Sequence, residues 1–110
     1  MEQRRMCNPH KRTEVVYLAQ TLVDIIDRVC ELARCYCAHA INLIELLSIA
    51  GRINCERGRI NKRTHDFRLD AIAKIRKCLP FFVGLDEVSS LEEELTAVEV
   101  GFRLLRSASV

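Results

Sequence analysis

The residues best suited to chemistry are the basic side chains gathered between positions 52 and 77. This segment contains nine Arg or Lys residues and three Asp or Glu residues, whereas the flanking parts of the chain are neutral or acidic. Thirteen of the seventeen basic residues are Arg, whose planar guanidinium fork suits phosphate and carboxylate groups. This uneven distribution indicates a polyanionic or acidic partner more strongly than the formal net charge of +2 does.

A repeated tetrapeptide opens the basic segment, since Gly-Arg-Ile-Asn occurs at 51–54 and again at 58–61. A spacing of seven residues is two helical turns, so a continuous helix would place both Arg side chains on one face and both Ile side chains on the next. Other basic residues fall on the same side of this helix. The predicted phosphate contacts are Arg52, Arg59, Lys62, Arg63, Lys74 and Lys77.

Acidic residues in the same segment offer an alternative interpretation. Glu56, Asp66 and Asp70 stand at spacings from basic neighbours that allow ion pairs along a helix. The segment would then be a solvated face without a ligand. Because nine bases exceed three acids, binding to a polyanion is the leading prediction.

The kind of nucleic acid follows from what the basic segment lacks. It has no zinc-finger, helix-turn-helix or ribonucleoprotein motif, and aromatic side chains that could stack on bases are nearly absent. A long helical face without base-reading groups suits a duplex recognised by its shape and phosphates. We therefore predict binding to double-stranded nucleic acid, with RNA favoured and no sequence preference.

Other reactive residues do not assemble into a site. Cys35 and His39 lie four residues apart, and Cys7 and His10 form a second pair, but one helix cannot supply four ligands to zinc. No nucleophile is paired with a base, and no glycine-rich loop follows a strand. We expect no metal, no cofactor, no small-molecule substrate and no enzymatic activity.

Composition predicts an all-α fold in one domain. Hydrophobic residues make up 49% of the 110 residues, aromatic residues 5%, and there are only four Gly and two Pro. The predicted elements are a loose basic arm over 1–12, a long helix over 13–50, a basic helix over 52–79 and an acidic third helix over 89–106. Gly51 either ends the long helix or lies inside a helix that continues past it.

The long helix has an apolar surface too wide for one neighbour to cover. Its length, roughly 55 Å at 1.5 Å per residue, also exceeds a small domain. We therefore predict a homodimer, a dimeric four-helix-type bundle with coiled-coil packing, whose interface contains Leu22, Ile26, Val29, Ala33, Cys37, Ala40, Ile44 and Leu47. The alternative is a helix that breaks near 35–39 and folds back within one chain.

Cysteine usage bears on the compartment. Six cysteines without an apolar secretory signal predict a reducing, intracellular and cytoplasmic setting. Charged residues interrupt the apolar stretch over 15–50, so we expect no membrane span. The alternative function is a helical protein–protein interaction or adaptor module, which would use either this stretch or the acidic helix over 91–106.

The layout after residue 50 resembles the small RNA-silencing suppressor proteins of insect nodaviruses. The similar features are an Arg- and Lys-rich helix with Cys55 near its start, the sequence Lys-Cys-Leu-Pro-Phe-Phe-Val-Gly-Leu at 77–85, and the Leu-Glu-Glu-Glu-Leu helix at 91–95. The resemblance covers about residues 50–106. It implies a viral dimer that lays a basic helical face along double-stranded RNA, with Arg52, Arg59, Lys62 and Arg63 contacting phosphates.

Overall fold

Four α-helices and one short 3₁₀ helix form the chain in the computed structural model, which describes residues 9–82 and 84–109. The α-helices are α1 (Pro9–Cys35), α2 (Leu43–Cys55), α3 (Lys62–Cys78) and α4 (Asp86–Ser109), and the 3₁₀ helix spans Leu79–Phe82. No strand occurs in the residues described. The predicted all-α class is confirmed.

The predicted long helix over 13–50 is wrong, because α1 ends at Cys35 and α2 begins at Leu43. Cys37 has a φ of 52°, in the left-handed region, and the Ala38 N–H reaches back to the Ala33 carbonyl at 3.0 Å. This six-to-one hydrogen bond is typical of a helix C-terminus. The alternative prediction, a break near 35–39 within one chain, is therefore correct.

Side-chain caps explain where the next two helices begin. The Asn42 side chain accepts a hydrogen bond from the Glu45 N–H at 3.1 Å, and the Asn61 side chain accepts one from the Thr64 N–H at 2.9 Å. Asn is among the best N-cap residues because it satisfies a free N–H of the first turn. The predicted basic helix over 52–79 is thus wrong, since its first residues end α2 and a turn over 56–61 precedes α3.

The two copies of Gly-Arg-Ile-Asn consequently have different structures. The copy at 51–54 lies in the last turns of α2, so Gly51 is inside a helix, whereas the copy at 58–61 forms the turn that leads into α3. The predicted common helical face for Arg52 and Arg59 is therefore incorrect.

The first and third predicted helices also begin at other residues than expected. Residues 9–12 belong to α1 rather than to a loose arm, since Pro fits the first position of a helix; residues 1–8 of that predicted arm lie outside the described residues. The third helix begins at Asp86, earlier than predicted. Ser90 is inside it, and its hydroxyl donates to the Glu94 carboxylate instead of capping the helix.

One hydrophobic core joins all the helices. The third predicted helix, which is α4 in the structure, has an apolar face whose residues recur at steps of four and three and are all buried: Leu91, Leu95, Val98, Phe102 and Leu105. They pack in the same cluster as the buried residues of α1, and α1 makes its most extensive contacts with α2 and α4. None of the helices described has the length and apolar character needed to cross a membrane.

The predicted dimer interface needs correction because half of it belongs to this hydrophobic core. Leu22, Ile26, Val29 and Ala33 are buried in the core of a single chain, because α2 and α4 cover the apolar face of α1. The second half of the predicted interface is exposed: Cys37, Ala40, Ile44 and Leu47. The bundle is thus completed within one chain, and only the exposed half is free to meet a partner.

Gly101 allows α1 and α4 to approach closely. A Cβ atom at Gly101 would lie 2.8 Å from Leu18 Cδ1 and 3.0 Å from Leu18 Cδ2, whereas a Cβ atom at Gly51 would have no neighbour within 4 Å. Both glycines lie inside helices. They therefore share the same gain in helix propensity on replacement by Ala, about 1 kcal/mol, and differ in the space available.

We predict that Gly51→Ala raises the free energy of unfolding by about 0.5–1 kcal/mol through reduced freedom of the unfolded chain. Gly101→Ala has the same gain in helix propensity, but its methyl group must displace the buried side chain of Leu18. This displacement costs at least as much as the gain, so we expect no net rise in the free energy of unfolding. Urea unfolding followed by circular dichroism, at a protein concentration low enough to keep the chain monomeric, measures both variants. Equal stabilisation by the two substitutions would contradict the close approach of α1 and α4.

Candidate nucleic-acid interface

The predicted phosphate contacts lie on α3 and on the two segments that precede it. Four of them are exposed on α3, namely Lys62, Arg63, Lys74 and Lys77. Arg59 is exposed in the turn before α3, and Arg52 is half-buried near the end of α2. The outer face of α3, with these two Arg residues, is called here the basic surface.

Three cations of the basic surface are held in ion pairs. Arg52 pairs with Glu56 at 3.4 Å and Lys62 with Asp66 at 3.0 Å, as their helical spacing allows. Lys74 pairs at 2.9 Å with Glu45 of α2. Glu45, rather than the Asp70 considered from sequence, is therefore the partner of Lys74, because the side chains of α2 and α3 meet at this point.

The remaining three cations of the basic surface, Arg59, Arg63 and Lys77, form no ion pair with any residue that the structure describes. Arg63 and Lys77 are fourteen positions apart in one helix, about 21 Å along its axis. Asp70 is the one acid of the basic surface without an ion pair in the described chain. Unpaired positive charge therefore exceeds unpaired negative charge on this surface.

An open groove lies between α2 and α3. It has a volume of about 520 Å³ and is lined by Arg52, Lys62, Arg63, Asp66, Phe67 and Asp70. The guanidinium carbon of Arg52 stands 3.9 Å from the centre of the Phe67 ring, a cation–π contact that covers the aromatic face. The groove therefore exposes charged side chains to solvent, while the guanidinium of Arg52 covers the Phe67 ring.

Asp66 is shared between two cations. Besides Lys62, it pairs with Arg106 of α4 at 3.0 Å. The hydrogen bond from Lys62 and the charge of Arg106 lower the pKa of the Asp66 carboxyl below its usual value. This carboxylate is therefore ionised at neutral pH and links the basic surface to the C-terminal part of α4.

Not every basic residue of the segment belongs to the surface, and Arg68 is the clearest exception. Its side chain is 0% exposed, and its Nη2 atom donates to the carbonyl oxygens of Glu56 at 2.7 Å and Arg57 at 3.2 Å. Its guanidinium carbon is 5.2 Å from the Phe102 ring centre. Burial lowers the pKa of Arg68 to about 10, so the group remains charged at neutral pH.

Two other bases of the segment are also occupied within the chain. Arg76 pairs with Glu99 of α4 at 2.8 Å, and Arg57 donates to the backbone and side chain of Asn54. Both residues are among the nine bases counted from the sequence.

The burial of Arg68 could have been predicted from the sequence. Arg68 precedes the buried Ala71 and Ile72 by three and four residues and so shares their face of the helix.

His65 is a buried residue that belongs to none of the predicted sites. It is 1% exposed, meets the Phe102 ring edge-on at 6.4 Å between centres, and neither ring nitrogen has a partner in the described chain. Burial lowers the pKa of the His65 imidazole, and the positive charges of Arg68, Lys11 and Arg106 lower it further, against a smaller opposing effect of Asp66. His65 is therefore neutral in the folded protein at neutral pH.

This environment predicts pH-dependent stability. The unfolded chain binds a proton at His65 near pH 6.5, whereas the folded chain does so at lower pH, so the free energy of unfolding falls as pH decreases from about 7.5 to 5.5. The variant His65→Leu should remove most of this slope. Urea unfolding across this range measures it, with His39→Leu as the control at an exposed histidine. An unchanged slope in His65→Leu would rule out His65 as the cause.

In the part of the chain that the structure describes, the Cys and His side chains do not gather into a metal site. Cys35 ends α1 and His39 lies in the following connection, both exposed; the Cys7 of the other predicted pair lies outside the described residues. No group of three or more His, Cys, Asp or Glu side chains is placed to hold a metal ion within residues 10–82 and 84–106.

Comparisons of the chain with protein-family models, with curated protein sequences and with solved structures give no match. Any functional conclusion therefore rests on the geometry and charge of the surfaces described above.

Proposed function

We propose that the protein binds double-stranded nucleic acid, preferentially RNA, through the basic surface, without sequence preference. The observation that supports this most directly is the set of three unpaired cations, Arg59, Arg63 and Lys77, spread along α3 and the turn before it. Cations spaced along a rigid helix are suited to contact successive phosphates of a duplex. The paired cations Arg52, Lys62 and Lys74 surround them and add to the local positive potential.

A duplex fits this surface better than a single strand does. Recognition of single strands relies on aromatic side chains that stack on unpaired bases. Phe67 is the aromatic residue of the groove, and Arg52 covers its ring. In A-form RNA the deep major groove hides the base edges, so shape and backbone contacts dominate binding. Arg and Lys side chains without free aromatic neighbours match that mode of recognition.

The biological role we propose is suppression of RNA silencing. A protein that covers duplex RNA along its phosphates denies processing enzymes access to it, and it needs no catalytic group of its own. Lack of sequence preference is an advantage in this role, because the duplexes to be covered differ in sequence.

Duplex binding is testable by gel-shift titration with a duplex RNA of arbitrary sequence. The affinity should fall steeply from about 50 to 200 mM salt, since each phosphate contact releases counterions. The double variant Arg59→Ala with Arg63→Ala should bind about tenfold or more weakly and show a salt slope smaller by about 2.

The matched control is Arg34→Ala with Arg103→Ala, which removes two exposed Arg charges from α1 and α4. This control should retain most of the affinity. Absence of binding at low salt would refute the proposal. Equal weakening by the two double variants would show that net charge, and not the basic surface, controls binding.

We further propose that the protein is a homodimer joined through the outer face of α2. This face is uncharged: Ile44 is 82% exposed, Leu47 is also exposed, and Ser48, Gly51 and Cys55 continue the same side of the helix. The face is bulky at its N-terminal end and small at its C-terminal end. An antiparallel copy places bulky residues against small ones, so the face complements itself.

The charges beside this face favour the same arrangement. Glu45 and Arg52 lie two helical turns apart on one edge of α2. Antiparallel pairing about a twofold axis places the same edge of both helices on one side, so that Glu45 of one copy lies toward Arg52 of the other. Parallel pairing places the two edges on opposite sides of the interface, so these charges do not meet. Because α3 lies alongside this edge through the contacts of Lys74 and Phe67, a dimer of this kind brings two basic surfaces close together.

Light scattering at micromolar concentration, without nucleic acid, tests the dimer separately from RNA binding. The wild-type protein should have twice the monomer mass of 12.6 kDa, and Ile44→Glu should be monomeric because the charge would be buried without a partner. Leu104→Glu, at another well-exposed apolar position, on α4, should remain dimeric. A monomeric wild type, or dissociation by Leu104→Glu alone, would contradict the α2 interface.

A further inference from the structure

A second exposed apolar area extends across α1 and α4, away from the outer face of α2. Tyr17 is 68% exposed, Leu104 is 67% exposed, and Val100 is half exposed. Tyr17 precedes Leu18 in α1, Val100 precedes Gly101 in α4, and Leu104 lies about one turn after Gly101. Leu18 and Gly101 face each other where α1 contacts α4. The small Gly101 thus allows exposed apolar side chains of two helices to lie side by side. We call them the α1–α4 patch.

Beyond the patch, Asp24 of α1 and Glu93 of α4 continue the same side of the two helices, and Asp27 and Glu92 lie on the outer flanks. Asp24 and Asp27 are exposed on α1, and Glu92 and Glu93 are exposed on α4; none of the four forms an ion pair with a residue in the described part of the chain. The two helices run antiparallel here, since Arg28 pairs with Glu94 at 2.9 Å while Leu18 meets Gly101. The four carboxylates therefore lie at one end of the patch.

This combination of charges excludes several occupants. Unpaired carboxylates repel the phosphates of nucleic acids and the head groups of anionic membranes. A second copy of the chain on the same face would place carboxylates near carboxylates, which disfavours self-association there. The complementary surface must be apolar at one end and positively charged at the other.

We propose that the α1–α4 patch is a docking site for a basic amphipathic helix of another protein. Apolar side chains of that helix, at spacings of three and four residues, would pack on Tyr17, Val100 and Leu104. Its Lys or Arg residues would face the four carboxylates of α1 and α4 and fix the direction of the bound helix. This site is separate from the basic surface on α3, so both partners would bind at once.

A fluorescently labelled synthetic peptide tests the site directly. The probe is a 14-residue Leu–Lys peptide of about four helical turns, with Leu on one face and Lys on the other, titrated with the full chain at low salt and followed by anisotropy. A peptide of the same composition whose Leu residues are spread around the helix should bind at least about tenfold more weakly. A Leu–Glu peptide should not bind, because its charges match those of the chain.

Three double variants locate the binding. Tyr17→Asn with Leu104→Asn should weaken peptide binding about tenfold or more, whereas Tyr36→Asn with Phe81→Asn, at two other well-exposed aromatic positions, should change it less than about twofold. Asp24→Asn with Glu93→Gln should reduce the dependence of binding on salt. Circular dichroism of each variant checks that the helices remain folded.

The outcomes separate cleanly. The docking site would be overturned if the amphipathic peptide did not bind or if the rearranged peptide bound equally well. Equal weakening by Tyr17→Asn with Leu104→Asn and by Tyr36→Asn with Phe81→Asn would also overturn it. A peptide affinity that is unchanged by Tyr17→Asn with Leu104→Asn would do the same. None of these results depends on whether the basic surface binds RNA, since the titration contains no nucleic acid.

Discussion

The buried guanidinium of Arg68 is the interaction on which the arrangement of α2, α3 and α4 depends. From within α3 it donates to the carbonyl oxygens of Glu56 and Arg57, just beyond the last residue of α2. The Glu56 carbonyl also accepts a hydrogen bond from the Arg59 N–H at 2.9 Å. The guanidinium plane also stands near Phe102 of α4. One side chain therefore fixes the turn after α2 and anchors it to the core. The cost is a buried cation without a carboxylate partner, whose Nε and Nη1 atoms have no hydrogen-bond partner in the described chain.

This constraint decides which face of α3 meets solvent. Because Arg68, Ala71, Ile72 and Ile75 point inward, the residues on the opposite side of the helix point outward, and most of these are charged. The proposed RNA-binding surface is thus a consequence of how α3 is anchored. The same packing places the acidic sides of α1 and α4 elsewhere on the molecule, so the two kinds of charge are segregated in space as well as in sequence.

Sequence patterns were sufficient for features set by many residues together. The all-α class follows from composition, and the buried face of α4 follows from the regular spacing of its Leu, Val and Phe residues. The exposed positions of Lys62, Arg63, Lys74 and Lys77 also agree with their helical spacing. In each case several residues carry the same signal, so an error at one position does not change the result.

Features set by single residues were missed. The breaks before α2 and α3 depend on one cap each, Asn42 and Asn61, and on the left-handed backbone of Cys37. Apolar periodicity continues across these positions and hides them. The burial of Arg68 and His65 depends on tertiary contacts with the turn and with α4, and composition counts both as polar. Because the break after α1 was hidden in this way, the first half of the predicted dimer interface was assigned to a surface, although it is buried within one chain.

The double pairing of Asp66 has a further consequence for any anion that reaches α3. If Lys62 turns toward a phosphate, Asp66 still holds Arg106, so the carboxylate is not left without a counterion. Arg52 is in a similar position, because its contact with Phe67 persists when Glu56 is released. If the proposed surface binds an anion, these ion pairs would act as exchangeable counterions, because each cation could leave its carboxylate while a second contact still holds the carboxylate or the cation.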